Sequence, residues 1–407
     1  MKHLSILLLA GIAVVFISCG GDQKSVKQTP KVVNGPYTEK YDDGKIKEQG
    51  IMSNAMRNGP ATTFFKSGKK ESEGVYENDT KNGKWTFYHE NGATSIIVIY
   101  KSDKLEGPTT RYYDTGSKLI DGQYGADERQ GLWKEYHPDG KTVSSLTTYK
   151  DGKRTGDFKA FDDKGTMAYS GTFERGMSNG VWLRYENNSV LEKIRFADNV
   201  TNGVSEFYYP GAGVSQRSTF ASNVLDGASS SYYSNGSVMS EGNYVKGKQE
   251  GTWKFYSKDG SLFMQGPYKA GKKEGEFTEY YPSGKVRAKG MYEGSKKMGV
   301  WNYYLETGAL DKQPDFKSAS IKHCVFYKNG AKDFEVQFLA AFEDRNFSEL
   351  VEKNYNGKFI RYGANGKPIE EGLYKTGMKH GVWKTYDAGG NASTEQWILG
   401  EKKESLR

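Results

Sequence analysis

The residues with the greatest potential for chemistry in this 407-residue chain are few and scattered. The histidines are His3, His89, His137, His323 and His380, and the cysteines are Cys19 and Cys324. No two histidines have zinc-ligand spacing, and no nucleophile elbow, phosphate-binding loop or HExxH motif occurs. Carboxylates are spread through the turn segments and form no distinguishable catalytic pair. We therefore expect no enzymatic activity, no catalytic residue, no metal site and no cofactor, and we expect His323 and Cys324 to be structural.

Cys19 is the residue whose surroundings indicate a chemical modification. Lys2 precedes an apolar run from Leu4 to Ile17, which is short for a membrane span and typical of a signal peptide. The run ends in Phe16-Ile17-Ser18-Cys19-Gly20, which resembles a bacterial lipobox with Phe where Leu is usual. The resemblance implies cleavage before Cys19 and lipid attachment to Cys19. The alternative is an ordinary secretory signal with an incidental cysteine.

This interpretation assigns residues 1–18 to a signal peptide and residues 19–34 to a lipidated polar tether. Gly20, rather than Asp, after the cysteine resembles the signal of outer-membrane lipoproteins. We expect a lipid-anchored protein of the bacterial cell envelope, in the outer membrane, with the periplasmic and surface faces both open. A lipidated Cys19 leaves Cys324 without an intramolecular disulfide partner. Nucleic acid is not an expected partner of an exported, tethered chain.

Composition excludes several classes of protein. Aromatic residues make up 14% of the chain, and 50 residues are glycine. The aromatic content excludes intrinsic disorder, and the absence of a strict glycine triplet excludes collagen. A single apolar run, at the N-terminus, excludes a polytopic membrane protein.

The rest of the chain is an internal repeat, marked by a glycine that returns every 23 to 25 residues up to Gly299. This anchor glycine is position 1 of each copy, and it occurs at Gly35, Gly59, Gly83, Gly107, Gly131, Gly156, Gly180, Gly203, Gly227, Gly251, Gly275, Gly299, Gly357 and Gly381. Most copies have a second glycine at position 10 and aromatics at position 6 and near position 18. A degenerate copy is placed at 321–338, so that the array 35–407 holds about fifteen copies.

Each copy has the pattern of a β-hairpin. Positions 2 to 7 are rich in aromatic residues and Thr, which favour strands. Turn pairs such as Asn91-Gly92 and Asp139-Gly140 follow, and positions 11 to 18 form the return strand. An isolated hairpin is marginally stable, so each copy requires its neighbours. The predicted fold is all-β: an elongated antiparallel β-meander of about fifteen hairpin repeats of about 24 residues.

Aromatic side chains are expected on both faces of this sheet. Strand alternation puts positions 3, 5 and 7 on one face. Every copy has Phe, Tyr or Trp at position 3 or position 7, and we infer that either place serves to cover that face. The aromatic at position 6 is expected on the opposite face.

The motifs Gly251-Thr-Trp253-Lys-Phe-Tyr256-Ser-Lys-Asp-Gly260 and Gly381-Val-Trp383-Lys-Thr-Tyr386-Asp-Ala-Gly-Gly390 resemble the MORN-variant repeat, of the MORN 2 type, over residues 35 to about 400. The resemblance implies a scaffold or binding surface. Bacterial chains of this kind are often labelled antitoxins of a toxin–antitoxin system, and the resemblance implies that label as well.

The expected function is a non-enzymatic, membrane-anchored scaffold that binds a protein or envelope partner through its sheet surface. One alternative is an antitoxin or immunity protein that neutralises a toxin, and another is a carbohydrate-binding surface lipoprotein. The candidate binding-face aromatics are Tyr113, Tyr209, Tyr233 and Tyr281. Packing of these rings on neighbouring hairpins is the alternative to ligand binding.

Basic residues recur in the turns between copies, at Lys81, Lys84, Lys153, Arg154, Lys246, Lys248, Lys272, Lys273, Lys296, Lys297, Lys375 and Lys379. A regular array places them along one margin. They form either an electrostatic strip for anionic lipids or polysaccharides, or a solvated rim that discourages aggregation.

One segment, 339–356, interrupts the repeat. It is longer than a normal connection and has loose helical spacing, which predicts an inserted loop or short helix. Such a segment is either a tolerated surface insertion or a docking element for a partner.

Overall fold

The computed structural model describes residues 34–317, 320–342 and 354–403. The predicted signal peptide, Cys19 and all of the tether except Asn34 lie outside the described residues. Within those three ranges, no helix is long and apolar enough to cross a membrane.

The chain divides into two compact units, with the boundary inside 94–105. The first unit holds the residues up to Thr94 together with Ile99–Lys104, and the second holds Ser95–Val98 and the residues from Leu105 onward. The strands are β1 (Gly35–Lys40), β2 (Ile46–Ser53), β3 (Met56–Phe64), β4 (Lys70–Glu77), β5 (Thr80–Tyr88), β6 (Thr94–Lys101), β7 (Lys104–Leu105), β8 (Gly107–Tyr112), β9 (Lys118–Gly125), β10 (Glu128–Tyr136), β11 (Val143–Lys150), β12 (Lys153–Phe161), β13 (Met167–Glu174), β14 (Met177–Glu186), β15 (Ser189–Ala197), β16 (Val200–Thr201), β17 (Gly203–Tyr208), β18 (Val214–Ala221), β19 (Val224–Tyr232), β20 (Val238–Val245), β21 (Lys248–Tyr256), β22 (Leu262–Lys269), β23 (Lys272–Lys273), β24 (Gly275–Tyr280), β25 (Val286–Glu293), β26 (Lys296–Tyr304), β27 (Leu310–Lys317), β28 (Ser320–Lys328), β29 (Ala331–Phe342), β30 (Tyr355–Tyr362), β31 (Pro368–Lys375), β32 (Met378–Tyr386), β33 (Ala392–Ile398) and β34 (Glu401–Lys403).

Within each unit, strands pair antiparallel with their neighbours in the chain. Strands β1 to β5 pair in order in the first unit, and β19 to β22 are an example from the second. The two-residue strands β7, β16 and β23 are the leading ends of first strands, broken one residue before the anchor glycine, and β34 is a terminal piece. Within the described residues, the remaining strands form fifteen hairpins. The prediction of an all-β antiparallel meander of hairpins is confirmed.

In most copies the anchor glycine lies inside a strand, not at its start. Strand β21 begins at Lys248, three residues before Gly251. The register with β20 jumps from Glu241↔Lys254 to Asn243↔Glu250, so that Gly251, Thr252 and Trp253 together face a single residue, Gly242. Gly251 has φ +69°, which an L-residue adopts at a cost, and this explains the glycine at the bulge. The prediction that the first strand starts at position 2 is therefore wrong.

Position 7 belongs to the turn. Strand β24 ends at Tyr280, which is position 6, and the Tyr281 amide donates to the carbonyl of Lys285 at 2.8 Å to close the turn. The expectation that position 7 covers the same face as position 3 is wrong for this reason. Position 6 does lie on the opposite face, because the hydroxyl of Tyr256 reaches Glu241, which alternates with core residues on β20.

The core face carries positions 3, 5, 14, 16 and 18, and it is built from flat rings lying over glycine. Trp301 is fully buried, and a Cβ added to Gly290 at position 16 of the preceding copy would lie 2.4 Å from its ring. The Trp301 Nε1 donates to the carbonyl of Met291 at 3.0 Å. The same bond and the same glycine recur for Trp253 over Gly242. Where position 3 is a tryptophan, its ring therefore fills the space over a glycine of the preceding copy.

The degenerate copy is shifted by one position from its predicted alignment. Cys324 pairs with Val336, and the register shift that follows position 5 elsewhere falls between Phe326 and Tyr327. Tyr327 thus takes position 6, and Cys324 takes the core position of tryptophan, where it is fully buried. Burial raises the pKa of the Cys324 thiol to about 12.

The segment predicted as a loop or short helix, 339–356, is shortened at both ends by strands. Strand β29 continues to Phe342, and β30 begins at Tyr355, so neither end of the segment is a loop or helix. Residues 343–353 lie outside the described residues, and the loop or helix there stays a prediction.

Candidate binding face

The face opposite the core, here called the open face, carries positions 2, 4 and 6 of the first strand and positions 12, 15 and 17 of the second. Several of its tyrosines at position 6 bond to acidic residues at position 15 of the preceding copy. The hydroxyl-to-carboxylate distances are 2.5 Å for Tyr88 and Glu73, 2.8 Å for Tyr136 and Asp121, 2.7 Å for Tyr256 and Glu241, and 2.7 Å for Tyr386 and Glu371.

Lysines complete these pairs on the same face. Lys70 and Lys118, at position 12, contact Glu73 at 2.6 Å and Asp121 at 2.9 Å. Glu206 accepts from Tyr208 at 2.8 Å and lies 2.8 Å from Arg217 and 3.2 Å from Lys193. Each of these carboxylates therefore has both a tyrosine and a cation beside it.

These contacts shift the pKa values of both partners. Burial and the hydrogen bond to Glu241 raise the pKa of Tyr256 to about 12. Hydrogen bonds from Lys70 and Tyr88 lower the pKa of Glu73. At neutral pH the tyrosines are protonated donors, and the negative charge of Glu73, Asp121 and Glu206 is balanced by the lysine or arginine beside it.

Aliphatic side chains stand exposed between the polar clusters, at positions 2 and 17. Val300 and Val382 are both 53% exposed, Met291 is 49% exposed and Leu373 is 48% exposed. Met291 and Val300 lie on the neighbouring strands β25 and β26, and Leu373 and Val382 lie on β31 and β32. The open face thus combines aliphatic contact area with hydroxyl and charged groups.

The structure places the four candidate tyrosines at position 7, in the turns. Their half-buried rings point toward the next copy, where each hydroxyl donates to the backbone carbonyl at position 6: Tyr113 to Tyr136 at 3.1 Å, Tyr209 to Tyr232 at 2.7 Å, Tyr233 to Tyr256 at 2.9 Å and Tyr281 to Tyr304 at 2.7 Å. The four contacts match the alternative of packing between hairpins, and ligand binding by these residues stays a prediction.

The basic residues between copies do not form a uniform strip. Lys81, Lys297 and Lys379 lie over the rings of Trp85, Trp301 and Trp383, with the cation 4.0 to 4.6 Å from the ring centroid. The exposed members of this set include Lys84, Lys153, Lys246, Lys248, Lys272, Lys296 and Lys375. Lys81, Lys297 and Lys379 therefore pack against the core face and do not belong to an exposed electrostatic strip.

Sequence reasoning missed the aliphatic residues of the open face, because it assigned no face to positions 2 and 17. Three groups that can ligate a metal do not come together anywhere in the part of the chain that the structure describes.

Seven segments of the chain match the MORN repeat variant, at residues 57–78, 81–102, 129–151, 225–246, 249–270, 273–293 and 355–376. Each match begins two residues before an anchor glycine, close to where the first strand begins. The resemblance to this repeat is confirmed at those seven copies.

No curated protein matches the chain. Among solved structures, the crystal structure of TcdB2-TccC3-Cdc42 is similar at 9% identity and a TM-score of 0.14, over 88% of this chain and 28% of that one. A structure of the Photorhabdus luminescens Tc holotoxin pore is similar at 11% identity and a TM-score of 0.14, over 90% of this chain and 24% of that one. This chain spans about a quarter of the length of those proteins.

Proposed function

We propose that this chain is a non-enzymatic scaffold, held at a membrane by a lipid on Cys19, that binds a partner protein through its open face. The observation that carries the binding proposal is the exposure of aliphatic side chains on adjacent strands, Met291 and Val300 on β25 and β26 and Leu373 and Val382 on β31 and β32, on the same face as the tyrosine–carboxylate clusters. Exposed apolar patches rimmed by polar residues are typical of protein interaction sites.

A protein partner fits this face better than a sugar. The candidate binding-face tyrosines use their hydroxyls to bond to the next copy, as Tyr113 and Tyr281 do. The open face instead offers aliphatic side chains, which gain free energy when another protein removes them from water. The narrower hypothesis that the partner is a toxin rests on the resemblance to repeat proteins that carry the antitoxin label.

The binding proposal is tested by affinity capture with the intact lipidated chain and with the variant Val300→Asp/Val382→Asp. Both valines are exposed, so we expect the variant to keep its thermal unfolding temperature and to lose the captured partner, because a charge would have to be desolvated. Thr252→Asp is the matched control, since Thr252 is an exposed position 2 residue without an aliphatic side chain. If both variants capture equal amounts of the partner, the partner does not bind at Val300 and Val382.

The anchoring proposal has its own test. Cys19→Ala is expected to release the protein into the soluble fraction after cell disruption, because no lipid can then be attached. A processed form of the variant that stays with the membranes would contradict lipid anchoring at Cys19.

A further inference from the structure

In the described part of the chain, four tryptophan rings of the core face are each capped by a cation from the same strand. The capping residue lies two residues before the anchor glycine and four before the tryptophan. It is Lys81 over Trp85, Arg129 over Trp133, Lys297 over Trp301 and Lys379 over Trp383, at 4.6, 4.2, 4.1 and 4.0 Å from the ring centroid. A cation over an aromatic face is attracted by the ring quadrupole and also shields the ring from water.

Trp182 lies in the same structural position but has no cap. Ser178 occupies the capping place, and no Lys or Arg within the described ranges lies over the ring of Trp182 or Phe196. Trp182 is only half-buried, although Trp85, Trp133, Trp253, Trp301 and Trp383 are at most 3% exposed. Trp253 also lacks a capping cation, with Gln249 in that place, but Phe255 and Tyr268 pack beside it at 6.2 and 6.1 Å.

The uncapped ring belongs to a preassembled aromatic cluster. Trp182 stacks on Phe158 at 5.4 Å, meets Phe173 edge-on at 5.0 Å and meets Phe196 edge-on at 6.2 Å. Its Nε1 donates to the carbonyl of Thr172 at 3.2 Å, which holds the ring flat over Gly171. The ring needs no rearrangement to receive a ligand on its exposed side.

Nearby charges are already engaged. Arg154 lies over Phe173 at 4.3 Å and not over Trp182. Arg184, two residues along the strand from Trp182, is paired with Glu192 at 2.7 Å. In the first unit, the backbone amide of Lys81 donates to the carboxylate of Asp103 in a turn. At the equivalent place, the amide of Ser178 donates to the neutral side chain of Asn199. The cluster therefore has no internal cation to displace.

We propose that the exposed surface of Trp182 and Phe196 is a binding site for a Lys or Arg side chain of a partner protein. The partner's cation takes the place that Lys81, Arg129, Lys297 and Lys379 fill at the equivalent rings, and its chemistry is assigned from those four internal examples. This site is on the core face, so it does not depend on the partner of the open face.

The test uses the full chain labelled with 5-fluorotryptophan and titrated with a blocked hexaarginine peptide, followed by ¹⁹F NMR. The resonance of Trp182 is assigned by its loss in Trp182→Phe. We expect this resonance to shift saturably while those of the capped tryptophans stay in place. No response to hexaarginine, or a response to choline without one to hexaarginine, would overturn the proposal.

Ser178→Arg supplies the missing cap from within the chain. We expect it to move the Trp182 resonance without peptide and to weaken peptide binding about tenfold or more, since the two cations compete for one ring. Gln249→Arg is the matched control, because it fills the equivalent place beside the buried Trp253 and is expected to leave peptide binding unchanged. Equal binding by wild type and Ser178→Arg would overturn the proposal.

Discussion

The stretch from Phe277 to Trp383 and the stretch from Ser205 to Ser240 are built from the same hairpin but fill their core faces differently. In the first stretch, Phe277, Trp301, Phe316, Phe359 and Trp383 are buried to 2% exposure or less. In the second, serines take the equivalent positions, and the hydroxyls of Ser218 and Ser229 lie 2.7 Å apart in the interior.

The difference shows that the same backbone hydrogen-bond pattern accommodates different side chains on the core face. Position 16 of one copy faces position 3 of the next, and the two side chains are complementary in size: Gly290 with Trp301, Val98 with Thr109, Ser218 with Ser229. Burial of a large ring contributes more than a hydroxyl pair, whose net contribution is about 1 kcal/mol. We therefore expect the aromatic stretch to be the more cohesive of the two.

The largest effect is expected from removing a core ring. Trp301→Ala leaves a cavity over Gly290 and deprives the carbonyl of Met291 of its Nε1 donor, so it should lower the free energy of unfolding by about 3 to 5 kcal/mol. Urea unfolding followed by circular dichroism measures this. Ser229→Ala in the serine stretch is the control, with an expected loss of about 1 kcal/mol. Equal losses in the two variants would remove the distinction between the stretches.

The size complementarity between positions 16 and 3 is tested at Gly290 and Trp301. Gly290→Val should lower the free energy of unfolding by about 1 to 3 kcal/mol, because the added Cβ would lie 2.4 Å from the Trp301 ring. Adding Trp301→Thr reproduces the pair found at Val98 and Thr109. The double variant should be less destabilised than the sum of the two single variants, again by urea unfolding. Simple additivity would show that the two positions do not share one space.

Within the serine stretch the two hydroxyls are not equivalent. Ser218→Ala leaves the hydroxyl of Ser229 without its partner and should cost about 1 to 2 kcal/mol. Ser229→Ala should cost less, because Ser218 still accepts from Gln216 Nε2 at 2.9 Å. Thermal unfolding of both single variants and of Ser218→Ala/Ser229→Ala measures the difference. If Ser229→Ala lowers the unfolding temperature more than Ser218→Ala does, the difference in hydrogen-bond partners does not determine the stability of this stretch.

The smallest effect is expected on the open face, away from the core of either stretch. Tyr256→Phe removes the bond to Glu241 and should cost less than about 1 kcal/mol at neutral pH. The pKa of Tyr256 is raised from 10.0 to about 12, so the stabilisation is complete below pH 10 and is lost as the pH rises toward 12.

The measurement for this prediction is thermal unfolding temperature against pH. Tyr256→Phe should show a shallower fall between pH 10 and pH 12 than the wild type, and Tyr209→Phe, whose hydroxyl donates to a backbone carbonyl, serves as the control. A wild-type curve that falls no more steeply than the Tyr256→Phe curve would mean that the hydrogen bond to Glu241 does not stabilise the fold.

Part of the site was readable in the sequence. Position 6 was expected to face away from the core, and Tyr256 does so. The glycine under each core tryptophan also has a signal, since a glycine occurs eleven residues before Trp85, Trp133, Trp182, Trp253, Trp301 and Trp383. The capping cations are four residues before most of these tryptophans, and their spacing is equally visible. What could not be read is that these spacings mark contacts, because that depends on the register between strands.

The sequence by itself determined the period, the hairpins and the all-β class, because turn geometry and strand propensity are local and each copy repeats them. Only the tertiary structure decided that Gly251 is a bulge inside a strand, that Tyr281 leaves the sheet, and that Cys324 stands where other copies have tryptophan. The physical reason is register. A slip of one residue exchanges the two faces of a strand, and the register is set by how side chains from adjacent copies fit together, which no single copy contains.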